Sequence, residues 1–165
     1  MDPLALTSEA LQEPWRLWTA HLVHFGWDHA LANLMALAVP ALLVRRQERL
    51  RLLAAALLIA PLLSLALLPG LGGGQYRGAS GLACALWAWT GQRLLQREES
   101  LSVGLLLLGG LGLKLGLEGC LGLYVLPSQA AWRPLPEAHV WGALLGLLAA
   151  APSLLPMRRW HPRRI

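Results

Sequence analysis

Long apolar runs separated by short polar segments form the main pattern of this sequence. Five runs carry almost no charge: 30–44, 52–68, 82–89, 103–113 and 140–151. A helix rises about 1.5 Å per residue, so about 20 apolar residues cross the roughly 30 Å hydrocarbon layer of a membrane. We therefore predict an all-α membrane protein with spanning helices at about 28–44, 50–68, 80–95, 102–126 and 138–155, preceded by an interfacial helix at about 8–22.

The composition favours a membrane location. Hydrophobic residues make up 56% of the chain and charged residues 14%, against about 45–50% and about 25% in soluble domains. The mean hydropathy is +0.50. These values disfavour an ordinary soluble domain. Because five spans and their connections use most of the 165 residues, we predict one membrane domain over residues 1–165 and no separate soluble domain.

The arginines determine the predicted orientation. A net charge of +5 is compatible with nucleic-acid binding, but the arginines cluster at helix ends instead of spreading over one face: Arg45, Arg46, Arg49, Arg51, Arg93, Arg97, Arg158, Arg159, Arg163 and Arg164. Under the positive-inside rule these ends face the cytoplasm. We therefore expect a basic cytoplasmic tail at 156–165, an N-terminal segment at the outer face over 1–26, and no nucleic-acid partner.

Polar groups inside the spans narrow the possible chemistry, since they are costly in a membrane and are therefore functional candidates. The only aspartates are Asp2 and Asp28, neither deep in a span, and no His-Glu-x-x-His sequence occurs. An aspartyl dyad and the common zinc-protease arrangement are thus excluded. Serine chemistry remains, with Ser80 at the start of the third span and His139 at the start of the fifth.

Ser80 and His139 each allow a structural and a catalytic interpretation. Ser80 is either a helix N-cap or a nucleophile, and His139 is either an interfacial histidine or the general base that activates the serine. Each lies about 13 residues from the inner end of its span, so the two share one depth. Small residues spaced i,i+4 let these two helices approach closely: Gly81 and Ala85 on one, Gly142 and Gly146 on the other.

Two more i,i+4 pairs lie on predicted helices. His29 and Asn33 share one helix face, either as donors for a developing oxyanion or as a polar patch that bonds neighbouring loops. Lys114 and Glu118 neutralise each other, which indicates a structural role, with substrate contact as the alternative. The helix that carries this second pair contains seven glycines, which favours either close packing or mobility.

Four sequence elements, in this order, resemble the rhomboid intramembrane serine proteases: Trp15-Arg16, then His21-Leu22-Val23-His24-Phe25 with His29 and Asn33, then Gly78-Ala79-Ser80-Gly81, then Ala138-His139 with Gly142. The resemblance covers nearly the whole chain. It implies a rhomboid-like helical bundle that acts as a serine endopeptidase on single-span membrane proteins, with no cofactor and no metal.

The resemblance also implies roles for individual residues. Ser80 is the nucleophile and His139 its base. The oxyanion hole consists of the Ser80 backbone amide with His29 and Asn33. Gly78, Gly81, His24 and Gly142 belong to the surrounding motifs, and His24 matches a histidine that is structural in the family.

A finer resemblance concerns the rhombosortase branch. The stretches Tyr76-Arg77-Gly78-Ala79-Ser80-Gly81 and Glu137-Ala138-His139-Val140-Trp141-Gly142 look most like that branch. This implies substrates whose C-terminal sorting tail combines a Gly-Gly motif, a transmembrane helix and basic residues. It also implies a location in a bacterial inner membrane, surrounded by lipid, with the active site towards the periplasmic face and the C-terminus in the cytoplasm.

The sequence departs from the rhomboid pattern in two ways. The family core has six spans and we count five, so the first family helix is missing. Residues 1–26 also lack the basic region and apolar core of a signal peptide, so we expect an upstream helix or an earlier start codon. Cys84 stands one turn after Ser80, where many rhomboids have a tyrosine that packs on the catalytic histidine.

Two other functions are compatible with the sequence. One is a catalytically inactive rhomboid-like protein that binds transmembrane clients, which the missing first span favours and the retention of Ser80 and His139 disfavours. The other is a metal or haem protein with histidine ligands, for which the candidates are His21, His24, His29 and His139.

Overall fold

The structure, a computed structural model, describes residues 2–123 and 135–151. Within these ranges the fold is all-α apart from one antiparallel bridge between Leu6 and Tyr76. The α-helices in these ranges are α1 (Arg16–Thr19), α2 (Trp27–Leu43), α3 (Arg49–Leu67), α4 (Ser80–Leu95), α5 (Leu101–Leu121) and α6 (Pro136–Ala150). Short 3-10 turns lie at Ser8–Leu11, Arg46–Glu48, Leu68–Gly70 and Glu98–Ser100.

The predicted all-α fold is confirmed, and α2, α3 and α4 begin and end within a residue of the predicted positions. The predicted end of helix 102–126 is wrong. α5 ends at Leu121 because Gly122 takes a left-handed conformation, with φ 63°, that caps the helix. Residues 124–126 of that prediction lie outside the described residues.

The predicted bounds 138–155 of the last helix are also wrong. α6 begins earlier, at Pro136, because proline suits the first helical position, where no backbone donor is needed. It ends at Ala150, since Ala151 takes a ψ of 140° ahead of Pro152, which disfavours a helical residue before it. Residues 152–155 of the prediction, and the predicted tail 156–165, lie outside the described residues.

The predicted interfacial helix 8–22 is wrong as a single element. The chain forms the 3-10 turn Ser8–Leu11 and then the short helix α1. Pro14 separates them, because proline has no backbone N–H to continue a helix. Arg16 ties this region together: its Nη1 donates to the carbonyl oxygens of Asp2 at 3.0 Å and Ala5 at 2.8 Å, and its Nε pairs with Glu13.

α4 is the central helix of the bundle. It packs against α2, α3, α5 and α6, and most of its residues are buried. On the α2 side, Trp87 Nε1 donates to the Ala36 carbonyl at 2.7 Å. On the α5 side, a Cβ added to Gly104 would lie 2.9 Å from the Gly91 carbonyl oxygen. Small residues on α4 therefore allow its neighbours to approach on several sides.

The glycines of α5 divide into two groups. Gly104 is packed against α4, which confirms the close-packing interpretation at that position. The other glycines within the helix meet no side chain or neighbouring backbone within 4 Å of an added Cβ: Gly109, Gly110, Gly112, Gly116 and Gly119. Close packing against the described residues therefore does not account for this second group.

His21 fixes the segment before α2 to α3. Its ring is buried, and Nε2 lies 3.0 Å from the Ala60 carbonyl oxygen and 3.1 Å from Ser64 Oγ. Because Ser64 Oγ donates its proton to the Leu17 carbonyl at 2.8 Å, the His21 Nε2–H must be the donor in both contacts. Burial lowers the pKa of His21 from its ordinary value, which favours the neutral ring in this position.

Charged groups join two connections at one end of the bundle. Glu48, in the α2–α3 connection, accepts from Arg93 at 3.0 Å and pairs with Arg97, and Arg45 pairs with Glu99. The connection between α4 and α5 therefore meets the connection between α2 and α3. The two arginine-rich connections thus lie at the same end of the bundle, and the predicted cytoplasmic location of that end stays a prediction.

Among the residues that the structure describes, two segments are long and apolar enough to cross a membrane by length and composition: Arg46–Gly70 and Glu98–Leu121. The apolar helix Trp27–Leu43 is shorter. The predicted count of five spans is thus not confirmed and stays a prediction.

Candidate active site

The segment before α4 is held in place by backbone contacts. Gly72 and Gly73 have φ values of 52° and 83°, a region that glycine enters readily. After this turn, Leu6 and Tyr76 exchange backbone hydrogen bonds of 3.0 Å, and the Gly78 N–H donates to the Ala20 carbonyl at 2.9 Å. The chain thus enters α4 from a fixed position against the N-terminal segment.

Ser80 is the first residue of α4, and its side chain does not cap the helix. Ala79 is the N-cap residue, and no side chain bonds there. The Ser80 Oγ instead lies 2.9 Å from His139 Nε2. The N-cap interpretation of Ser80 is therefore wrong.

His139 reaches Ser80 because α4 and α6 cross with their backbones nearly in contact. A Cβ added to Gly142 would lie 2.0 Å from the Gly81 carbonyl oxygen, and one added to Gly146 would lie 2.0 Å from the Ala85 carbonyl oxygen. These distances leave no room for any side chain at either glycine. The predicted close approach of the two small-residue stripes is confirmed.

Glu118 and Lys114 lie on the other edge of the His139 ring. Glu118 Oε2 is 2.7 Å from His139 Nδ1, and Lys114 Nζ is 2.7 Å from both carboxylate oxygens. The Lys114–Glu118 ion pair was predicted, but its contact with the histidine was not. The i,i+4 spacing within α5 indicates that the pair can form. The spacing does not indicate that α6 brings His139 into contact with the pair.

His29 and Asn33 lie beside the backbone that leads into Ser80. Gly78 has a φ of 113°, and an added Cβ would lie 2.6 Å from His29 Cε1 and 3.4 Å from Asn33 Nδ2. The Asn33 Nδ2 is buried, and within the described ranges it has no hydrogen-bond partner. A donor with this placement is available to a group that enters the site.

His24 and Cys84 also lie near the site. The His24 ring packs edge-on against His29, with ring centroids 5.2 Å apart. Cys84 is buried one turn along α4 from Ser80 and lines the same cavity as Ser80.

A cavity of about 490 Å³ gives access to these groups. Ser80, His139, Glu118 and Asn33 line it together with side chains that are mostly apolar, such as Trp87 and Leu111. α2, α4 and α5 all contribute to its walls. An extended apolar chain with a few polar backbone groups suits such a lining.

The four histidines of the metal hypothesis make different contacts. His21 bonds groups on α3, His24 packs on His29, and His139 lies between Ser80 and Glu118. No cluster of three or more His, Cys, Asp or Glu residues that would hold a metal ion occurs within residues 2–123 and 135–151.

The groups in this site determine the chemistry that it can perform. A hydroxyl lies within hydrogen-bond distance of an imidazole, and the imidazole is oriented on its far side by a carboxylate. A buried amide donor, Asn33 Nδ2, lies beside the segment that carries the hydroxyl. This set of groups fits nucleophilic acyl transfer.

The family model described as Rhomboid domain matches residues 11–155. No curated protein and no solved structure matches the chain.

Proposed function

This chain belongs to the rhomboid family, and from that premise we propose that it is a serine endopeptidase that cleaves transmembrane proteins within the membrane. Membership of the family makes it an integral membrane protein. The observation that carries the catalytic proposal is the 2.9 Å contact between Ser80 Oγ and His139 Nε2. A protein that only binds transmembrane clients has no need of this contact.

In the proposed reaction, the Ser80 Oγ attacks the carbonyl carbon of the scissile peptide bond while His139 Nε2 accepts the hydroxyl proton. The tetrahedral intermediate collapses as His139 gives that proton to the departing amine, which leaves an ester on Ser80. Water then attacks the ester with His139 again as the base. The products are a new carboxylate, a new amine and the free enzyme.

The developing oxyanion needs donors that are already in place. We assign this role to the Ser80 backbone N–H, the Asn33 Nδ2 and the His29 ring. The support for this assignment is the buried Asn33 donor, which lies beside the Gly78 backbone two residues before the nucleophile.

For the substrate, we propose membrane proteins that carry C-terminal Gly-Gly sorting tails. The support is the resemblance of the Ser80 and His139 motifs to the rhombosortase branch. A Gly-Gly segment also unwinds from a helix at low cost, because glycine disfavours helix interiors, and it has no side chains to fit between α2, α4 and α5.

Labelling with a serine-directed fluorophosphonate tests the catalytic proposal. We expect detergent-solubilised protein to be labelled, and Ser80→Ala and His139→Ala variants of equal expression and thermal stability to remain unlabelled. Wild-type protein that is folded but neither labels nor cleaves a reconstituted transmembrane substrate would favour the client-binding alternative.

Substrate choice is tested separately, with a single-span reporter that ends in a Gly-Gly sorting tail. We expect cleavage near Gly-Gly, and at least a tenfold loss of rate when both glycines are replaced by leucine. Equal cleavage of the two reporters by an enzyme that labels normally contradicts the rhombosortase assignment and leaves the protease proposal standing.

A further inference from the structure

The side of His139 that faces away from Ser80 is occupied by charged groups. Nδ1 lies 2.7 Å from Glu118 Oε2 and 2.9 Å from Lys114 Nζ. The Glu118 side chain is only 4% exposed, whereas that of Lys114 is 29% exposed. The proposed Ser80–His139 dyad accounts for neither residue.

Hydrogen-bond chemistry gives Glu118 and Lys114 opposite effects on the ring. An ionised carboxylate only accepts, so its contact with Nδ1 requires the proton on Nδ1 and leaves the Nε2 lone pair facing Ser80. A lysine ammonium only donates, so a bond from Lys114 to Nδ1 would require the proton on Nε2. In that tautomer the ring could not accept the Ser80 proton.

The ion pair removes this conflict. Lys114 Nζ lies 2.7 Å from both Glu118 oxygens, so its hydrogens are directed at the carboxylate. The carboxylate then has room to accept the Nδ1 proton on Oε2. A buried carboxylate also needs a counter-charge, and Lys114, the only lysine of the chain, supplies it.

We propose that Glu118 is a positioning residue that holds His139 as the Nδ1–H tautomer and stabilises the imidazolium formed when Ser80 loses its proton, with Lys114 as the counter-charge of Glu118. The proposal rests on the proposed protease function and extends its dyad to Ser80, His139 and Glu118. The observation behind this proposal is the contact between Glu118 Oε2 on α5 and His139 Nδ1 on α6.

Three proteins test the proposal by activity: wild type, Glu118→Leu and the double variant Lys114→Leu/Glu118→Leu. Loss of the orienting carboxylate in serine proteases costs about 10⁴-fold in kcat. We expect Glu118→Leu to lower kcat by about 10²–10⁴-fold with little change in KM. Because Lys114 alone favours the inactive tautomer, we expect the double variant to recover about tenfold, a coupling typical of residues in one hydrogen-bond network.

A spectroscopic readout tests the tautomer directly. In protein labelled with ¹⁵N-histidine, the His139 signals are those absent from a His139→Gln sample. We expect the wild type to show the Nδ1–H tautomer and Glu118→Leu to show the Nε2–H tautomer. Cys120→Leu, on the same helix and exposed, is the matched control and should change neither the tautomer nor kcat.

The outcomes separate the two proposals. A Glu118→Leu variant that keeps more than a third of the wild-type kcat, or a wild type with the Nε2–H tautomer, overturns the role of Glu118. If the double variant is no more active than Glu118→Leu and both variants keep the wild-type tautomer, Glu118 has a structural role. This result also overturns the proposal. An inactive, folded wild type that shows the Nδ1–H tautomer overturns the protease proposal, and with it the stabilisation of the imidazolium, but leaves the orientation of His139 by Glu118 standing, because the tautomer is measured without turnover.

Discussion

At the scale of single residues, the candidate site depends strongly on Gly78. Its φ of 113° is one that L side chains rarely adopt, and an added Cβ would lie 2.6 Å from His29. Such a conformation costs a residue other than glycine about 1–3 kcal/mol. We expect Gly78→Ala to lower the free energy of unfolding by about that amount and to slow fluorophosphonate labelling at least tenfold, since His29 must move.

Gly70→Ala is the matched control for this variant. Gly70 lies in the same connection, has no positive φ, and an added Cβ meets nothing within 4 Å. Thermal unfolding and labelling of Gly70→Ala should match the wild type. If Gly78→Ala behaved like Gly70→Ala in both measurements, the close contact between Gly78 and His29 would not be needed for stability or for labelling.

Asn33 should show a different balance between stability and activity. Its buried Nδ2 has no partner among the described residues, and an unsatisfied buried donor costs about 1–3 kcal/mol. We expect Asn33→Ala to leave the melting temperature nearly unchanged, because removal of this donor offsets the lost packing. Activity should fall by about 10²–10³ in kcat, the effect of losing one oxyanion-hole donor.

Ser64→Ala provides the opposite case. Ser64 is buried, donates to Leu17 and accepts from His21, so its removal takes the side-chain donor from the Leu17 carbonyl and leaves His21 Nε2 with the Ala60 carbonyl alone. We expect a lower melting temperature and, below that temperature, normal labelling. An Asn33→Ala variant that unfolds as readily as Ser64→Ala while keeping its kcat would assign Asn33 to structure rather than catalysis.

The sequence allowed some of these residues to be identified and not others. Ser80 and His139 were recognisable because each lies in a short local motif at a helix start. The role we propose for Glu118 was not, because its partner lies 21 positions away on another helix. In the sequence, Lys114 at the i,i+4 position already provides a partner for the Glu118 carboxylate, so the pattern did not indicate a further partner.

At the scale of elements, the crossing of α4 and α6 determines whether Ser80 and His139 meet. An added Cβ at Gly146 would lie 2.0 Å from the Ala85 carbonyl oxygen. Backbone cannot yield as a flexible side chain does, so the helices must separate, at a cost of about 1–3 kcal/mol or more. We expect Gly146→Ala to lower the melting temperature and to reduce labelling at least tenfold.

Gly109→Ala is the control for helical glycine replacement. An added Cβ at Gly109 meets nothing within 4 Å, and alanine favours a helix by about 1 kcal/mol over glycine. Its melting temperature should rise or stay the same, with normal labelling. Normal labelling of Gly146→Ala would mean that Ser80 and His139 tolerate separation of their helices.

Helix bounds could be predicted where polar residues mark both ends. The segments 45–48 and 69–79 separate α2, α3 and α4 clearly, and the predicted bounds of these helices were correct within a residue. α5 was extended too far because the apolar pattern continues beyond Gly122, and only the backbone conformation of that glycine ends the helix. Tertiary and backbone effects of this kind leave little trace in a hydropathy pattern.

At the scale of the whole molecule, the position of α4 bears on how many helices cross the membrane. α4 has 16 residues, about 24 Å of helix, which is short for the roughly 30 Å of hydrocarbon. Other helices cover it on several sides, so its ends need not meet lipid directly. A short central helix with small residues is therefore compatible with the predicted five-span bundle.

The two ends of the bundle differ in charge, which predicts an orientation that accessible cysteines can test. Arginines lie at the end where Glu48 meets Arg93, and Ser80 begins α4 at the other end. In a Cys120→Ser background, where Cys84 is buried, we expect a membrane-impermeant maleimide to label Gly70→Cys in intact cells and Glu98→Cys only after permeabilisation. The reverse pattern would place the active site on the cytoplasmic side, and equal labelling of both before permeabilisation would contradict a bundle that crosses the membrane.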